Sequence, residues 1–280
     1  MSILIATCAL AGLCSLPLQA HDSEPLASPF VGATPVLDGD LSEWESFAFL
    51  EVTSENGVFD SESGSSDGPD DLRFSFAVAN DHRYLYVAMR IVDDVLVLDT
   101  NPDPTELHTR AWMDDAVEIF IDGNHNHAPN ARDRAQVEFQ TGGEFSVVAN
   151  GAVTSDQSGV AGRGSDPEAW TSSGSYGAEG AAYAAPWDTS VGGFQIEARF
   201  NYKIMGEGIG PGSRIGFTVS AHDDDNGGDR DTALYWKGVG RSSWRDEGGW
   251  GDLILGQAAT VIEDSTLGEL KSGALKDGNK

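Results

Sequence analysis

Through the middle of the chain, apolar residues fall on every second position in short runs. Asp71–Ala79 sets Leu72, Phe74, Phe76 and Val78 on one side, with Arg73 and Ser75 on the other. Tyr84–Val92 groups Leu85, Val87, Met89 and Ile91, and Ala116–Asp122 groups Val117, Ile119 and Ile121. Val137 and Phe139 alternate with Gln136, Glu138 and Gln140; Phe194, Ile196, Ala198 and Phe200 alternate with Gln195, Glu197 and Arg199. Ile215, Phe217 and Val219 form a further run, and Asp252–Leu255 closes the set before Gly256. A period of two with turn residues between runs predicts antiparallel strands that bury one face. No segment carries a long helical period; Asn201–Gly206 predicts a single helical turn. The fold class predicted is all-β, an antiparallel β-sandwich of the immunoglobulin or jelly-roll kind with long loops.

Other stretches break the pattern. Residues 150–193 are rich in Gly, Ser and Ala around Trp170 and Trp187, and read as a long surface excursion between strands. Residues 257–280 follow the last strand as a tail, and 21–34 read as a linker, which leaves 35–256 as the domain. Residues 1–20 hold no charge and end in Ala20, an apolar segment with a small-residue cleavage site. A secretory signal is the expectation, with a secreted, extracellular or periplasmic product and no stable membrane insertion after cleavage. Both cysteines, Cys8 and Cys14, lie in that segment. The mature chain is therefore expected to lack disulfides, thiolate metal sites and a cysteine nucleophile.

Charge narrows the partners. The chain has 17 Lys+Arg against 45 Asp+Glu, formally −28. Phosphate binding needs clustered cations, so nucleic acid is excluded as a partner and anionic lipid is disfavoured. An acidic surface attracts cations instead.

Three constellations carry candidate chemistry. The first is Trp112 with Glu118. Val117, Ile119 and Ile121 take the core, so Glu118 points away from it, and an even separation of six puts Trp112 on the same face if the strand pairing extends that far. An aromatic body beside a charged acceptor suits a sugar, which stacks its C–H face and donates its hydroxyls. The alternative is a tryptophan capping the sandwich edge beside a solvated carboxylate. The second is Asp223, Asp225 and Asp229 in a glycine-containing loop, where hard oxygen ligands suit Ca2+; a solvated acidic loop is the competing reading. The third is His125 and His127, either ligands for a transition metal or part of a hairpin loop.

Taken in order, Pro35–Trp44, Tyr84–Asp94, Trp112–Asn124, Phe194–Gly206, Gly212–Asn226, Tyr235–Gly238 and Trp250–Leu255 resemble carbohydrate-binding module family 9, within the domon-like group of sandwiches. The resemblance implies a sugar held between two tryptophans, polar residues on adjacent strands, and structural calcium in nearby loops. It assigns Trp112 and Glu118 to the sugar slot. Trp236 is the choice for the opposite wall, with Trp244 and Trp250 as rivals, and either Arg134 or Gln136 stands for a polar contact on the next strand. The partner implied is a poly- or oligosaccharide, and the role is non-catalytic binding linked to polysaccharide breakdown.

Competing functions stay open. A glycoside hydrolase needs two carboxylates facing across a cleft, and nothing in the sequence singles out a pair. A haem-binding electron-transfer domain would need an axial ligand such as Met89, Met113, Met205 or a histidine. A calcium-stabilised adhesive domain would need no sugar site.

Overall fold

The structure, a computed structural model, describes residues 24–37, 40–60, 68, 70–97, 111–127 and 192–259. It gives the main chain alone for strands within 136–184. The first sheet runs in the order β1 (Leu26–Ser28), β15 (Gly251–Leu255), β13 (Arg214–Asp223), β6 (Ala116–Asp122), β7 (Gln136–Gln140), β8 (Ser146–Ala149) and β9 (Ala152–Ser155). Attached beside β13 is β14 (Thr232–Tyr235), which in turn pairs with β3 (Val58–Phe59). The second sheet runs β10 (Trp170–Ser173), β11 (Glu179–Ala184), β12 (Phe194–Asn201), β5 (Tyr84–Asp93), β4 (Leu72–Asn80) and β2 (Leu50–Val52).

Alternation along the chain becomes layering in space. Phe74, Phe76, Val87, Met89 and Ile91 of the second sheet meet Val117, Ile119, Ile121, Phe217 and Val219 of the first in one buried core. Burial of this area is the main stabilising term, at roughly 25 cal/mol per Å² of apolar surface. A smaller cluster covers the back of the second sheet, where Trp44 and Leu41 pack on Ala77, Ala79, Tyr86 and Ala88. There the Trp44 Nε1–H donates to Glu197 Oε1 at 2.6 Å, which satisfies a carboxylate buried on β12.

The tight connection between β4 and β5 is tied by Asp81. Its Oδ1 accepts the N–H groups of Arg83 and Tyr84 at 2.6 and 2.8 Å, and its Oδ2 accepts the Tyr86 hydroxyl at 2.7 Å. Burial works against the charged form, but these donors outweigh it and hold the Asp81 pKa below its ordinary value. The predicted helical turn forms at Tyr202–Met205, with the Asn201 side chain accepting the Lys203 N–H at 3.0 Å.

Two boundaries differ from the sequence expectation. The stretch read as a linker supplies β1, which pairs in parallel with β15, and Phe30 bridges to Asn80. Three residues are too few to show a period, and their partner lies at the other end of the chain. The stretch read as a surface excursion contains β9, β10 and β11. Small residues there blunt the apolar alternation that marks a strand. The segments 1–23 and 260–280 lie outside the described residues, and no helix among the described residues is long and apolar enough to cross a membrane.

Candidate functional site

Register decides what stands on the outer face of the first sheet. Glu118 on β6 pairs with Ser220 on β13, which pairs with Tyr235 on β14. Ala116 pairs with His222, and Phe120 with Thr218. Paired residues share a face, so Glu118, Phe120, Ser220, His222 and Tyr235 form one surface opposite the core. That surface is not wet: every residue of β6 is buried. Phe120, Ala233, Tyr235 and Trp250 pack together over it, with Val58 and Trp244 at the margin.

Within this covered face, polar groups satisfy one another. His222 is fully buried, and its Nε2 lies 3.1 Å from Glu118 Oε2 and 3.2 Å from the Ser220 hydroxyl. At its other edge, Nδ1 donates to the Trp112 carbonyl at 2.9 Å. One imidazole thus links the carboxylate at the centre of β6 to the main chain of the tryptophan six residues earlier. Arg230 completes the group: its guanidinium sits 5.3 Å from the Trp112 ring centroid and donates to Asp60 Oδ2 at 2.8 Å. The Trp112 side of this arrangement reaches solvent, with the residue 41% exposed.

The tryptophans separate cleanly. Trp236 is 8% exposed and turned into the inter-sheet core, its ring centroid 5.3 Å from Phe76 and 6.1 Å from Phe217. It follows Tyr235, which occupies the outer face, so alternation sends it inward. Gly251 leaves room for the indole, since a Cβ there would stand 2.6 Å from the ring. The expectation that Trp236 walls a slot opposite Trp112 is therefore corrected. Of the two rivals, Trp250 is 1% exposed and donates from Nε1 to the Ser243 carbonyl at 2.6 Å. Trp244 is half-buried at the edge of the outer cluster, with the Arg245 guanidinium 5.1 Å from its ring centroid.

The polar contacts expected on the next strand are placed less fully. Gln136 begins β7, and its backbone pairs with Asp122, at the far end of β6 from Glu118. Arg134 lies outside the described residues. His222, Ser220, Arg230 and Asp60 are the site residues that sequence reasoning missed. For two of them the signal is parity: Ser220 and His222 alternate with Phe217, Val219 and Ala221 as Glu118 does with its own neighbours.

At one end of the sandwich a second constellation gathers carboxylates from both sheets. Asp93 closes β5, Asp71 precedes β4, Asp115 precedes β6, and Asp223 closes β13. Oxygen atoms of Asp93, Asp115 and Asp223, three buried residues, lie within 4.8 Å of one another. Asp71, Asp223 and Asp225 converge equally closely, as do Asp93, Asp94 and Asp225. Burial, then the neighbouring charges Asp93, Asp71, Asp225 and Asp231, push the Asp223 pKa up to about 8. Burial raises Asp93 and Asp115 as well, with the charges of Asp225, Asp94 and Asp71 adding to the first and those of Asp93 and Asp223 to the second. Asp115 is anchored by the N–H groups of Val97 and Asp224. Asp224 shapes the following loop, accepting from Asn226, Gly227 and Gly228 through Oδ1. Asp93 Oδ2, Asp223 Oδ1 and Asp224 Oδ2 are buried without a hydrogen-bond partner. Of the predicted metal residues, Asp223 and Asp225 belong to this group, whereas Asp229 is exposed and outside it.

An exposed indole above a buried, mutually satisfied polar network suits a ligand with an apolar face and a rim of hydroxyls, and so a small-ligand binding domain. The chain belongs to the carbohydrate family 9 binding domain-like family, whose profile matches residues 42–258. Over 224 residues it is 27% identical to endo-1,4-beta-xylanase A of Thermotoga maritima, and over 228 residues 27% identical to the enzyme of the same name from Thermotoga neapolitana. Each match takes in 79% of this chain and 17% of the relative, so the chain spans about a sixth of the relatives' length. Among solved structures, a family 9 module from Caldicellulosiruptor kristjanssonii in complex with cellotriose matches with a TM-score of 0.56 and 17% identity, covering 85% of this chain and 96% of that one. A family 9 module from Caldicellulosiruptor kristjanssonii in complex with glucose matches with a TM-score of 0.55 and 17% identity, covering 86% of this chain and all of that one. These likenesses show the fold.

Proposed function

We propose that this domain binds a β-1,4-linked glucan or xylan oligosaccharide without cleaving it, as the carbohydrate-recognising part of a polysaccharide-degrading system. One observation carries the proposal: Trp112 presents its ring to solvent while its carbonyl is tied through His222 to Glu118. A pyranose stacks its C–H face on an exposed indole. Family membership supports a carbohydrate ligand, and the cellotriose and glucose bound by the solved modules, with the xylanase relatives, are what suggest these sugars. Trp112 and Arg230 are the direct contacts in this reading, Glu118 and His222 orient them, and Trp244 is the second aromatic.

The reading includes calcium and export. Two orphaned, buried carboxylate oxygens, on Asp93 and Asp223, in an all-oxygen cluster match the chemistry of a hard cation. Asp93, Asp115 and Asp223 would hold the ion, with Asp71, Asp94 and Asp225 around it, and the ion would neutralise charges drawn from both sheets. The uncharged, apolar stretch 1–20 and the acidic composition are what support action outside the cytoplasm.

Calorimetric titration with cellotriose and xylotriose, in calcium-containing buffer, tests the proposal. Binding to either sugar that is lost in Trp112→Ala, with circular dichroism unchanged, is the expected result. Failure of both sugars and of longer β-1,4 oligosaccharides to bind overturns it, and release of reducing ends by the pure protein overturns the non-catalytic part.

A further inference from the structure

The loop that leaves β6 carries a constellation that the sugar site does not use. Asp122 ends the strand, and its buried carboxylate accepts the His125 N–H at 2.9 Å and the His127 N–H at 3.3 Å. Those two hydrogen bonds hold the loop in a tight curl. Both histidines take left-handed backbone, with φ of 54° and 55°, the only such non-glycine residues among those described. Side chains with a Cβ rarely adopt that conformation, and it persists where surrounding structure over-determines it.

The curl brings three donors together. Donor atoms of His125, His127 and Asp252 lie within 4.8 Å of one another. Asp252 comes from β15, across β13 from Asp122: both pair with Gly216. The two imidazoles stand edge to face, with centroids 4.1 Å apart, and His125 Nε2 is 2.6 Å from Asp252 Oδ1. An outer group orients this set. Asp252 Oδ2 lies 3.3 Å from Arg214 Nη1. A second hydrogen bond to a backbone carbonyl or a charged neighbour is the usual support of a metal-ligating histidine or carboxylate.

We propose that His125, His127 and Asp252 bind a divalent transition ion of the zinc class, pinning the loop after β6 to β15. Two imidazoles and one carboxylate are the ligand types of zinc and its neighbours, whereas calcium takes oxygen alone. Two residues of the set are only half-buried, so the site opens to solvent and keeps room for water in the remaining coordination position. Binding draws His125 Nε2 and Asp252 Oδ1 apart to roughly the 3.3 Å that separates two ligands on tetrahedral zinc at bond lengths near 2.0 Å. The rival arrangement is a metal-free His125–Asp252 pair.

The test uses tag-free, chelator-stripped protein with calcium in excess, so that the acidic cluster is filled. Zinc titrated calorimetrically is expected to bind with one equivalent, and cobalt to give the visible absorption of a low-coordinate site. His127→Ala and Asp252→Asn are each expected to weaken zinc at least tenfold, while Asp229→Asn leaves it unchanged. Absence of zinc binding, or binding that both variants leave intact, overturns the proposal. Should the variants fail to fold, imidazole nitrogen shifts of the parent protein decide: zinc-dependent shifts at His125 and His127 uphold the site, and unmoved shifts sink it.

Discussion

Glu118 and His222 face each other at 3.1 Å across the β6–β13 pair, both nearly sealed from solvent. The glutamate that interrupts the apolar run on β6 is thus the buried partner of an imidazole, on a sheet face that a second hydrophobic layer covers. Removing one member of a buried pair strands the other, at a cost of about 3–5 kcal/mol. His222→Ala is therefore expected to lower the urea midpoint sharply, and the double variant with Glu118→Ala to lose less than the sum of the singles. Additive losses would show that the two residues do not act as a pair.

Trp112 and Trp236 should respond in opposite ways. Trp112→Ala removes an exposed ring and leaves the core intact, so folding survives. Affinity for the best β-1,4 oligosaccharide is expected to fall by about 2 kcal/mol, on the order of thirtyfold. Trp236→Ala opens a cavity against Phe76 and Phe217 and is expected to cost about 3–5 kcal/mol of stability. Calorimetry and chemical denaturation on both variants separate the two roles.

Chelation should lower the melting temperature. An ion that binds only the folded state adds about 2.7 kcal/mol at a hundredfold excess over its dissociation constant. Asp93→Asn and Asp223→Asn are expected to shrink the gap between melting curves with calcium and with EDTA, and Asp229→Asn to preserve it. Equal gaps in all three variants would place the ion elsewhere.

Asp81 gives a signed pH dependence. Its folded pKa lies below the unfolded value, which is about 3.9 for an aspartate. Its contribution to stability is therefore present above that unfolded value and disappears as pH falls through the folded one. Asp81→Asn should be less stable than the parent at neutral pH, with the difference closing as pH drops below about 4. Urea midpoints measured across that range check the sign.

The strands β4, β5, β6, β12, β13 and β15 were legible because each carries several alternating apolar residues, and the helical turn because Asn201 caps it. The inward face of β6 was equally plain. What covers its outward face was not. Period two reports that Glu118, Ser220 and His222 leave the core, but it does not distinguish water from one another as their partner. Trp236 misled because it was matched by type; the step from outward Tyr235 gives its true direction. The acidic cluster was half visible. Asp223 and Asp225 adjoin in the chain, whereas Asp71, Asp93 and Asp115 join them only because antiparallel strands return their ends to one place.

The hydrogen bond from His222 to the Trp112 carbonyl bears on how quickly and tightly a ligand can settle. A flexible aromatic would surrender freedom on contact, and ordering each such side chain costs about 0.5–1.5 kcal/mol. Here the main chain that carries the ring is anchored beforehand and a guanidinium already rests near its face. The motional penalty of association then falls mainly on the incoming chain, so a stiff linear oligomer should gain more from this surface than a floppy one of equal length.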